Sequence, residues 1–213
     1  MTSITIIGSG NMARGIGTRA VQARSSLQII DRDRAKAGAL GAELAGSSTG
    51  DFGDALTGDI VVLAVPFDAA REIVVAQAKA LENKVIVDIT NPIDFSTFDN
   101  LVVEAGTSAA EELASIAPAS ARIVKAFNTT FAGTLVAGDV NGIPLDVLIA
   151  GDDADAKSAV AEFVTASGLR PIDVGPLRRA RELEAFQLLV MTLQANPDAN
   201  AFNWDSGVKL VTA

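Results

Sequence analysis

The sequence predicts an α/β fold with a doubly wound, mostly parallel sheet and a small C-terminal αβ extension. Three observations lead to this prediction. A β-like run, Ile4 to Ile7, leads directly into a glycine-rich turn at Gly8. A second β-like run ends in Asp31, 21 residues after Gly10, which is the spacing of a βαβ dinucleotide-binding unit. Strand-like and helix-like runs then alternate along the chain, and together these features indicate a Rossmann sheet with helices on both faces.

Apolar periodicity assigns the elements in order. Strands are predicted at 4–7, 27–30, 59–66, 84–90, 122–127, 145–150 and 169–174. Helices are predicted at 11–23, 35–44, 52–56, 69–81, 108–116, 154–167 and 178–195. Pro171 predicts an edge position for the last strand, because proline cannot donate a ladder hydrogen bond. We divide the chain into a dinucleotide-binding core, 1–138, and an αβ extension, 139–213, which packs on the same sheet and makes effectively one domain.

Three segments are less regular. Residues 46–50 are predicted as a loop, 93–102 as a loop that covers the site, and 196–213 as an irregular tail anchored by Trp204. The last helix carries an apolar stripe at spacing 3, 4, 3, formed by Leu183, Phe186, Val190 and Leu193. This stripe predicts a core face, with a partner interface, and hence a homodimer, as the alternative.

Composition excludes several kinds of function. The 213 residues are 49% hydrophobic, which is enough for a substantial core, and the net charge of −9 argues against nucleic acid or an anionic membrane as partner. There is no cysteine, histidine or tyrosine. Thiol chemistry, serine–histidine hydrolysis and tyrosine–lysine reduction are therefore excluded, and we predict no catalytic acid, base or nucleophile and no metal ligand. No signal peptide or membrane span is predicted, so a cytoplasmic protein is expected.

The glycine turn predicts a phosphate site. Gly8 permits the tight turn, Gly10 allows close approach of a pyrophosphate, and Ala13 is small enough for helix–strand packing. The end of the second strand gives two opposing indications about the cofactor. Asp31 favours the ribose hydroxyls of NAD, whereas three basic residues favour the additional phosphate of NADP; these are Arg32, Arg34 and Lys36.

Four loops at strand carboxyl ends are expected to line one crevice, as in other open α/β sheets. They contain the glycine turn, the sequence 65–67, Asn91, and the polar run 128–133. Asn91 could equally cap a turn. Lys125 could donate a proton, but an ion-paired or partly exposed structural role is favoured, and Asp88 is predicted to be structural. The chemistry that fits this crevice is hydride transfer between two redox cofactors.

Several motifs resemble those of a known family. They are Gly8-Ser9-Gly10-Asn11-Met12, the segment 31–36, Val65-Pro66-Phe67, Lys125-Ala126-Phe127-Asn128-Thr129, the segment 150–153, and above all 168–177, followed by Ala180-Arg181 and Leu183-Glu184. The chain resembles the coenzyme F420-dependent NADP oxidoreductases, which pass a hydride between NADPH and a 5-deazaflavin. The cytosolic reductase domain of the transmembrane ferric reductases is similar in the same places.

The resemblance implies site residues, a second cofactor and a homodimer. The NADP site would include Ser9, Asn11, Met12, Arg32 and Lys36 beside Gly8, Gly10 and Asp31, with Val65, Pro66 and Asn91 near the nicotinamide side. The deazaflavin pocket would lie around residues 128–132, which begin with Asn128 and Thr129, and the C-terminal segment. Candidates to meet its anionic tail are Arg170, Arg178, Arg179 and Arg181, unless these arginines are merely solvated.

Two positions depart from the family pattern. Asp31 replaces a serine-like residue, and its charge repels a 2′-phosphate, so NAD remains possible beside NADP. Asn128 replaces an archaeal-type histidine; it can hydrogen-bond a ring carbonyl but cannot shuttle a proton.

Two further hypotheses stay open. The same fold could reduce a flavin, a ferric chelate or a small organic substrate; the glycine motif also resembles that of pyrroline-carboxylate reductase, although too little chain follows for that enzyme's helical C-terminal domain. The chain could also be a non-enzymatic nucleotide-sensing module. The acidic end of the second strand fits a sensor, whereas the block from Gly175 to Glu184 does not.

Overall fold

A computed structural model describes residues 2–196, 198 and 202–211 and contains an eight-stranded sheet. The strands are β1 (Ser3–Ile7), β2 (Ser26–Ile30), β3 (Ser48–Gly50), β4 (Ile60–Leu63), β5 (Val85–Asp88), β6 (Arg122–Lys125), β9 (Asp146–Gly151) and β10 (Arg170–Gly175); β7 (Asp139–Val140) and β8 (Ile143–Pro144) form a separate hairpin. The sheet order is β10-β9-β6-β5-β4-β1-β2-β3, and only the β6–β9 pair is antiparallel. This is the mostly parallel Rossmann sheet that the sequence predicts.

Helices cover both faces of the sheet. They are α1 (Asn11–Gln22), α2 (Arg34–Glu43), α3 (Phe67–Ala76), α4 (Ala78–Leu81), α5 (Ala109–Ile116), α6 (Ala132–Ala137), α7 (Ala154–Ala166) and α8 (Ala180–Ala195), with a 3₁₀ turn at Leu177–Arg179. Alternate residues of each strand point to opposite faces. Ile4 and Ile6 of β1 therefore join one core with α1, α2 and α7, whereas Ile7 joins a second core with α3 and α5.

Four predicted elements differ from the structure. Residues 48–50 are an edge strand rather than a loop, since they pair with β2, and their half-exposed position explains the missing apolar pattern. The predicted helix 52–56 is a turn, because Gly53 adopts φ +105° and Asp54 accepts a hydrogen bond from the Asp51 amide. The predicted helix 69–81 is two helices that break at Gln77. The last helix opens with the 3₁₀ turn before it becomes α-helical.

The prediction that the apolar stripe on α8 faces the core is wrong beyond Leu183. Phe186 is 40% exposed and Leu193 38% exposed. The buried side chains of α8 are offset by about one residue from that stripe, and they are Ala180, Leu183, Glu184, Gln187 and Gln194. A 3, 4, 3 spacing therefore identified a helix but not the side that faces the sheet.

The predictions for the two ends of the chain are also resolved. β10 lies at the edge of the sheet, as Pro171 predicts. The described part of the tail is irregular, and Trp204 packs edge-on against Phe131 at a ring-centroid distance of 5.6 Å, which confirms it as an anchor. The tail residues Pro197, Ala199, Asn200, Ala201, Thr212 and Ala213 lie outside the described residues. None of the described helices is long and apolar enough to cross a membrane.

Candidate functional site

Three adjoining cavities follow the carboxyl edge of the sheet. The first, which we call the glycine cleft, measures about 750 Å³ and lies between the turn at Gly8 to Gly10 and one face of α3. The second, the middle cavity, measures about 450 Å³ and shares Gly10, Val65 and Pro66 with the glycine cleft. The third, the amide pocket, measures about 440 Å³ and is bordered by Asn91 and Asn128. The predicted crevice is therefore continuous, because neighbouring cavities share wall residues.

The glycine turn has the geometry of a phosphate site. Gly8 adopts φ +115°, and a Cβ there would lie 2.3 Å from the backbone oxygen of Ala64. Gly10 precedes the first residue of α1, has no side-chain cap, and would meet no atom within 4 Å if it carried a Cβ. The amide groups that open α1 thus adjoin open space, which is the arrangement that favours a bound anion.

The far end of the glycine cleft contains both signs of charge. Asp31 accepts a hydrogen bond from the Ser9 hydroxyl at 2.7 Å and another from the Asp33 amide at 2.9 Å, so its carboxylate is fixed in the cleft. Arg32 and Lys36 also line the cleft. Asp33 caps α2 by accepting from the amides of Ala35 and Lys36, as a helix-start residue does.

The middle cavity has mainly apolar walls. Met12, Val65, Pro66 and Ile89 line it together with Asn91. Loop residues Ile93, Phe95 and Val102 close one side, with Phe95 61% exposed. The loop 93–102 thus covers this cavity, as predicted, and it is closed on itself by the hydrogen bond from the Val102 amide to the Pro92 carbonyl at 2.7 Å.

The amide pocket is built from side-chain amides and aromatic rings. Asn91 donates to the Asn128 carbonyl at 2.9 Å, and the Asn128 side chain donates back to Asn91 Oδ1 at 3.0 Å and to the Leu183 carbonyl at 3.2 Å. Asn128 Oδ1 and Gln187 Oε1 are buried and have no hydrogen-bond partner among the described residues. Two buried acceptors at one pocket are suited to a ligand that offers N–H or O–H donors, since an unpaired buried acceptor is costly.

The backbone before Asn128 is strained. Phe127 is fully buried and adopts φ +62°, which is uncommon for a bulky residue. Its ring packs against Phe163 at a centroid distance of 6.0 Å, so the surrounding core holds it in place. Strain of this kind clusters where the chain must present a particular side chain, and here the next side chain is Asn128.

A buried ion network lies among the elements that carry the amide pocket. Lys125 Nζ is 2.8 Å from Asp88 Oδ2, 2.7 Å from Glu184 Oε1 and 2.5 Å from the Thr90 carbonyl, and all three charged side chains are fully buried. Glu184 also accepts from the amides of Ala109 and Ala110 at the start of α5, where the helix dipole favours a negative charge. The preferred interpretation of Lys125 as an ion-paired side chain is confirmed, and Asp88 is one of its two buried partners.

The network shifts two pKa values. Burial alone would lower the pKa of the Lys125 ammonium, but the charges of Asp88 and Glu184 outweigh it, and the pKa is raised. Burial raises the pKa of the Glu184 carboxyl; Lys125 opposes this change, and the nearby charge of Asp88 adds to it. Lys125 is therefore held as a cation between the two carboxylates.

The C-terminal tail forms one wall of the amide pocket through Trp204 and Asp205. The Trp204 amide donates to Gln194 Oε1 at 2.9 Å. Further along, the buried carboxylate of Asp146 holds the tail, because it accepts from Lys209 Nζ at 2.6 Å and from the Leu210 amide at 2.8 Å.

Most predicted site residues lie in the crevice, but not all. Those that line a cavity are Gly8, Ser9, Gly10, Asn11, Met12, Asp31, Arg32, Lys36, Val65, Pro66, Asn91 and Asn128. Thr129 is buried and lines none of the three cavities; its neighbours Thr130 and Phe131 do so instead. Arg34 is also outside the cleft, because it pairs with Asp51 at 3.1 Å.

The arginines considered for an anionic tail are mostly engaged elsewhere. Arg170 pairs with Asp146, Arg179 with Glu182, and Arg181 with Glu111. Arg178 is exposed, and none of the four lines any of the three cavities. The sequence could not reveal these ion pairs, because each acidic partner other than Glu182 lies more than 20 residues away.

Gly133 lies in the predicted run 128–133, but the sequence analysis did not single out three other wall residues of the amide pocket, which are Gln187, Met191 and Asp205. A signal for two of them exists. Glu184, Gln187, Met191 and Gln194 recur at spacing 3, 4, 3, a second stripe on α8 parallel to the apolar one. The polar character of that stripe gave no reason to expect burial.

Three comparisons relate the chain to known proteins. A family model described as "NADP oxidoreductase coenzyme F420-dependent" matches residues 3–92. The F420-dependent NADP reductase of Methanothermobacter marburgensis is 30% identical over 195 residues, which are 88% of this chain and 80% of that protein. A solved structure from Arthrobacter sp. FB24, assigned as an F420-dependent NADP reductase, superposes with a TM-score of 0.81 at 25% identity and covers 98% of this chain and 100% of that one.

A further relative is larger. Metalloreductase STEAP3 of Rattus norvegicus is 34% identical over 188 residues, which are 88% of this chain but 37% of that protein. The chain thus spans little more than a third of that relative's length. With a reductase matched over most of both sequences and a Rossmann crevice in place, this chain belongs to the coenzyme F420-dependent NADP oxidoreductases, a family of NAD(P)-dependent oxidoreductases.

Proposed function

We propose that this protein transfers a hydride between a nicotinamide dinucleotide and a second redox cofactor with a planar ring system, most favourably the deazaflavin F420. The observation that carries this proposal is the wall shared by the middle cavity and the amide pocket, formed by Asn11, Met12, Ile89, Asn91 and Met191. A ligand in each cavity would have the same side chains as neighbours. Direct hydride transfer requires such close placement of donor and acceptor.

The residues present fit a dinucleotide in the first two cavities. The start of α1 beside Gly10 would hold the pyrophosphate, and Asp31, Arg32 and Lys36 would contact the adenosine ribose. Met12, Pro66 and Ile89 would exclude water on the nicotinamide side.

The amide pocket fits a neutral ring better than an anion. The unpartnered acceptors Asn128 Oδ1 and Gln187 Oε1 suit the imide N–H of a flavin or deazaflavin ring. Among its described wall residues the only ionisable group is the Asp205 carboxylate. A ferric chelate with carboxylate arms would meet this negative charge without a compensating cation, and is therefore the less favoured acceptor.

Such a reaction needs little chemistry from the protein. When bound, the dinucleotide and the deazaflavin supply the hydride donor and acceptor themselves. The chain contributes binding by the glycine turn, orientation by Asn91 and Asn128, and exclusion of water by the loop 93–102 and Met191. A reaction in which the cofactors supply the reacting groups agrees with a chain that has no histidine, cysteine or tyrosine.

For the dinucleotide we propose NADP, with NAD as a second ligand of the same cleft. Arg32 and Lys36 support a 2′-phosphate, whereas the fixed carboxylate of Asp31 opposes it. Asp31 is neutralised by no salt bridge among the described residues, so its repulsion acts on any phosphate placed beside it.

We also propose a homodimer through the exposed face of α8, formed by Phe186, Leu189 and Leu193. Apolar side chains that recur along one exposed helix face are typical of an interface. Leu189→Glu is expected to convert the dimer to a monomer in sedimentation analysis. A monomeric native protein would overturn the proposal.

Two titrations test the central proposal. NADPH or NADH is added to the purified protein, and then deazaflavin, flavin or ferric citrate, while nicotinamide absorbance is followed. Trp204 is the only tryptophan and lies at the amide pocket, so quenching of its fluorescence reports an acceptor bound there. We expect quenching and oxidation of the nicotinamide with deazaflavin. Dinucleotide binding without hydride transfer to any acceptor would favour the sensing module instead.

A matched pair of variants localises the acceptor. Gln187→Leu removes a hydrogen-bond acceptor without a partner and keeps a side chain of similar volume. It is expected to weaken deazaflavin binding by about tenfold, or about 1.4 kcal/mol. Gln22→Leu makes the same change on the exposed end of α1 and should leave binding unchanged. Equal deazaflavin affinities in the two variants would mean that the deazaflavin binds outside the amide pocket.

A further inference from the structure

The three ammonium donors of Lys125 connect separate walls of the crevice. One reaches Asp88 at the end of β5, one the Thr90 carbonyl next to Asn91, and one Glu184 on α8. Lys125 itself ends β6, three residues before Asn128. A single buried cation at the end of β6 thus connects this strand to the end of β5 and to α8, the elements that surround the amide pocket.

Glu184 is the connection to α8. Its carboxylate lies between Lys125 and the first amides of α5, at 2.7 Å and 2.9 Å. Gln187 and Met191 follow one and two turns later on the same side of α8, and both line the amide pocket. Any rotation or tilt of α8 about Glu184 therefore moves two wall residues of that pocket.

Apolar packing does little to fix α8 beyond its first turn. All residues of this helix are described, and after Leu183 its buried side chains are Glu184, Gln187 and Gln194, whereas Leu188, Val190 and Met191 are only partly buried. Hydrophobic burial is non-directional, whereas hydrogen bonds and ion pairs have defined lengths and angles. The orientation of α8 therefore depends strongly on polar contacts. Two ion pairs hold the start of this helix: Arg181–Glu111, at 2.5 Å and partly exposed, and Lys125–Glu184, at 2.7 Å, whose two charges are fully buried.

We propose that the Lys125–Glu184 pair is a positioning device that orients α8 against the ends of β5 and β6 and thereby sets the shape of the amide pocket. Stability alone gives a weaker reason for the pair, since well-packed apolar residues commonly replace a buried ion pair at no cost. Neither residue lines a cavity, so both act through Asn91, Gln187 and Met191. The expected effect on deazaflavin kinetics rests on the function proposed above, whereas the expected change in the orientation of α8 does not.

The test uses Glu184→Gln with Glu182→Gln as its control. Both changes replace a glutamate on the same helix with its amide, but Glu182 is exposed and, among the described residues, pairs only with Arg179. Glu184→Gln leaves one acceptor oxygen in place of the two that now accept from Lys125 and the α5 amides, so one contact is lost. Because the native chain has no cysteine, spin labels can be attached at Val75→Cys on α3 and Ala195→Cys at the end of α8, both exposed, and diluted with unlabelled protein.

We expect a displaced or broadened distance distribution for Glu184→Gln and the native distribution for Glu182→Gln. The Kd for NADPH should stay within twofold, while kcat/KM for deazaflavin falls by about 10-fold to 100-fold, because small misplacements far from the chemistry have effects of this size. Glu184→Asp keeps the charge but shortens the side chain, folds more readily, and is expected to give the same displacement with a smaller kinetic loss.

Unchanged distances in the folded Glu184 variants would overturn the proposal, and so would an equal loss of NADPH and deazaflavin binding, which would indicate a merely structural pair. If wild-type protein transfers no hydride to deazaflavin, the proposed function fails, yet the distance measurements still decide whether Glu184 orients α8.

Discussion

The glycine cleft and the amide pocket are two ends of one crevice, but they are built in different ways. The glycine cleft uses backbone and segments that are close in sequence, at 8–10, 31–36 and 64–77. The amide pocket uses side chains from residues as far apart as Asn11 and Asp205, held by amide pairs and a buried ion network. The comparison shows that a cofactor site formed by backbone groups lies within short segments and can be recognised in the sequence. A site formed by side chains depends on how distant elements pack.

Among the variants that test the amide pocket, Lys125→Met is expected to have the largest effect on the free energy of unfolding. It leaves the carboxylates of Asp88 and Glu184 buried without their cation, so the free energy of unfolding should fall by about 3–5 kcal/mol. Urea denaturation measures this change. Lys157→Met, which breaks the ion pair to the exposed Asp173, is the control and should cost less than about 1 kcal/mol. Similar losses of unfolding free energy in the two variants would mean that the buried ion network contributes no more to stability than an exposed ion pair.

Gly8→Ala should have the largest effect on the glycine cleft. A Cβ at φ +115° would lie 2.3 Å from the Ala64 carbonyl oxygen, so the turn must open. We expect NADPH binding to weaken by about 100-fold, or about 2.7 kcal/mol, in a fluorescence titration. Gly38→Ala on α2 meets no atom within 4 Å and should bind normally. Native affinity in Gly8→Ala would show that the turn does not hold the dinucleotide.

Asp146→Asn tests how the tail wall of the amide pocket is held. Burial would raise the pKa of Asp146, but hydrogen bonds from Arg170 and Lys209 outweigh it and lower the pKa to about 2, from 3.8. A lowered carboxyl pKa stabilises the fold above pH 3.8, and this stabilisation is lost as the pH falls through about 2.

The variant should therefore lose about 2 kcal/mol of unfolding free energy at pH 7. Its stability should vary less than that of the wild type between pH 4 and pH 2, which acid titration of Trp204 fluorescence can follow. A steeper acid transition in the variant than in the wild type would contradict this assignment.

Asp31→Ser should give the smallest effect, again in the glycine cleft. Removing the carboxylate relieves its repulsion of a 2′-phosphate, so the affinity for NADPH relative to NADH should rise by about tenfold, or about 1.4 kcal/mol. Parallel titrations with both dinucleotides measure the ratio, and Asp33→Ser, at the cap of α2, controls for a general loss of negative charge. An unchanged ratio would show that Asp31 does not contact this part of the ligand.

The sequence predicted the fold and most of the crevice because these features depend on local patterns. Strand β4 is a continuous apolar run, β1 carries Ile4, Ile6 and Ile7, and the glycine spacing is fixed by the turn itself. The failures share one cause. Ser48 to Gly50 became a strand only through pairing with β2, and Phe186 remained exposed only because α8 turns its polar stripe inward.

The sequence by itself determined the βαβ start, the glycine turn, and the exclusion of histidine, cysteine and tyrosine chemistry, because each is contained in short stretches or in composition. Only the tertiary structure decided which face of α8 is buried, which arginines are free to meet a ligand, and that Lys125 is paired with Glu184, 59 residues away. These depend on contacts between distant elements, where the cost of leaving a buried charge or amide unpaired outweighs local apolar periodicity.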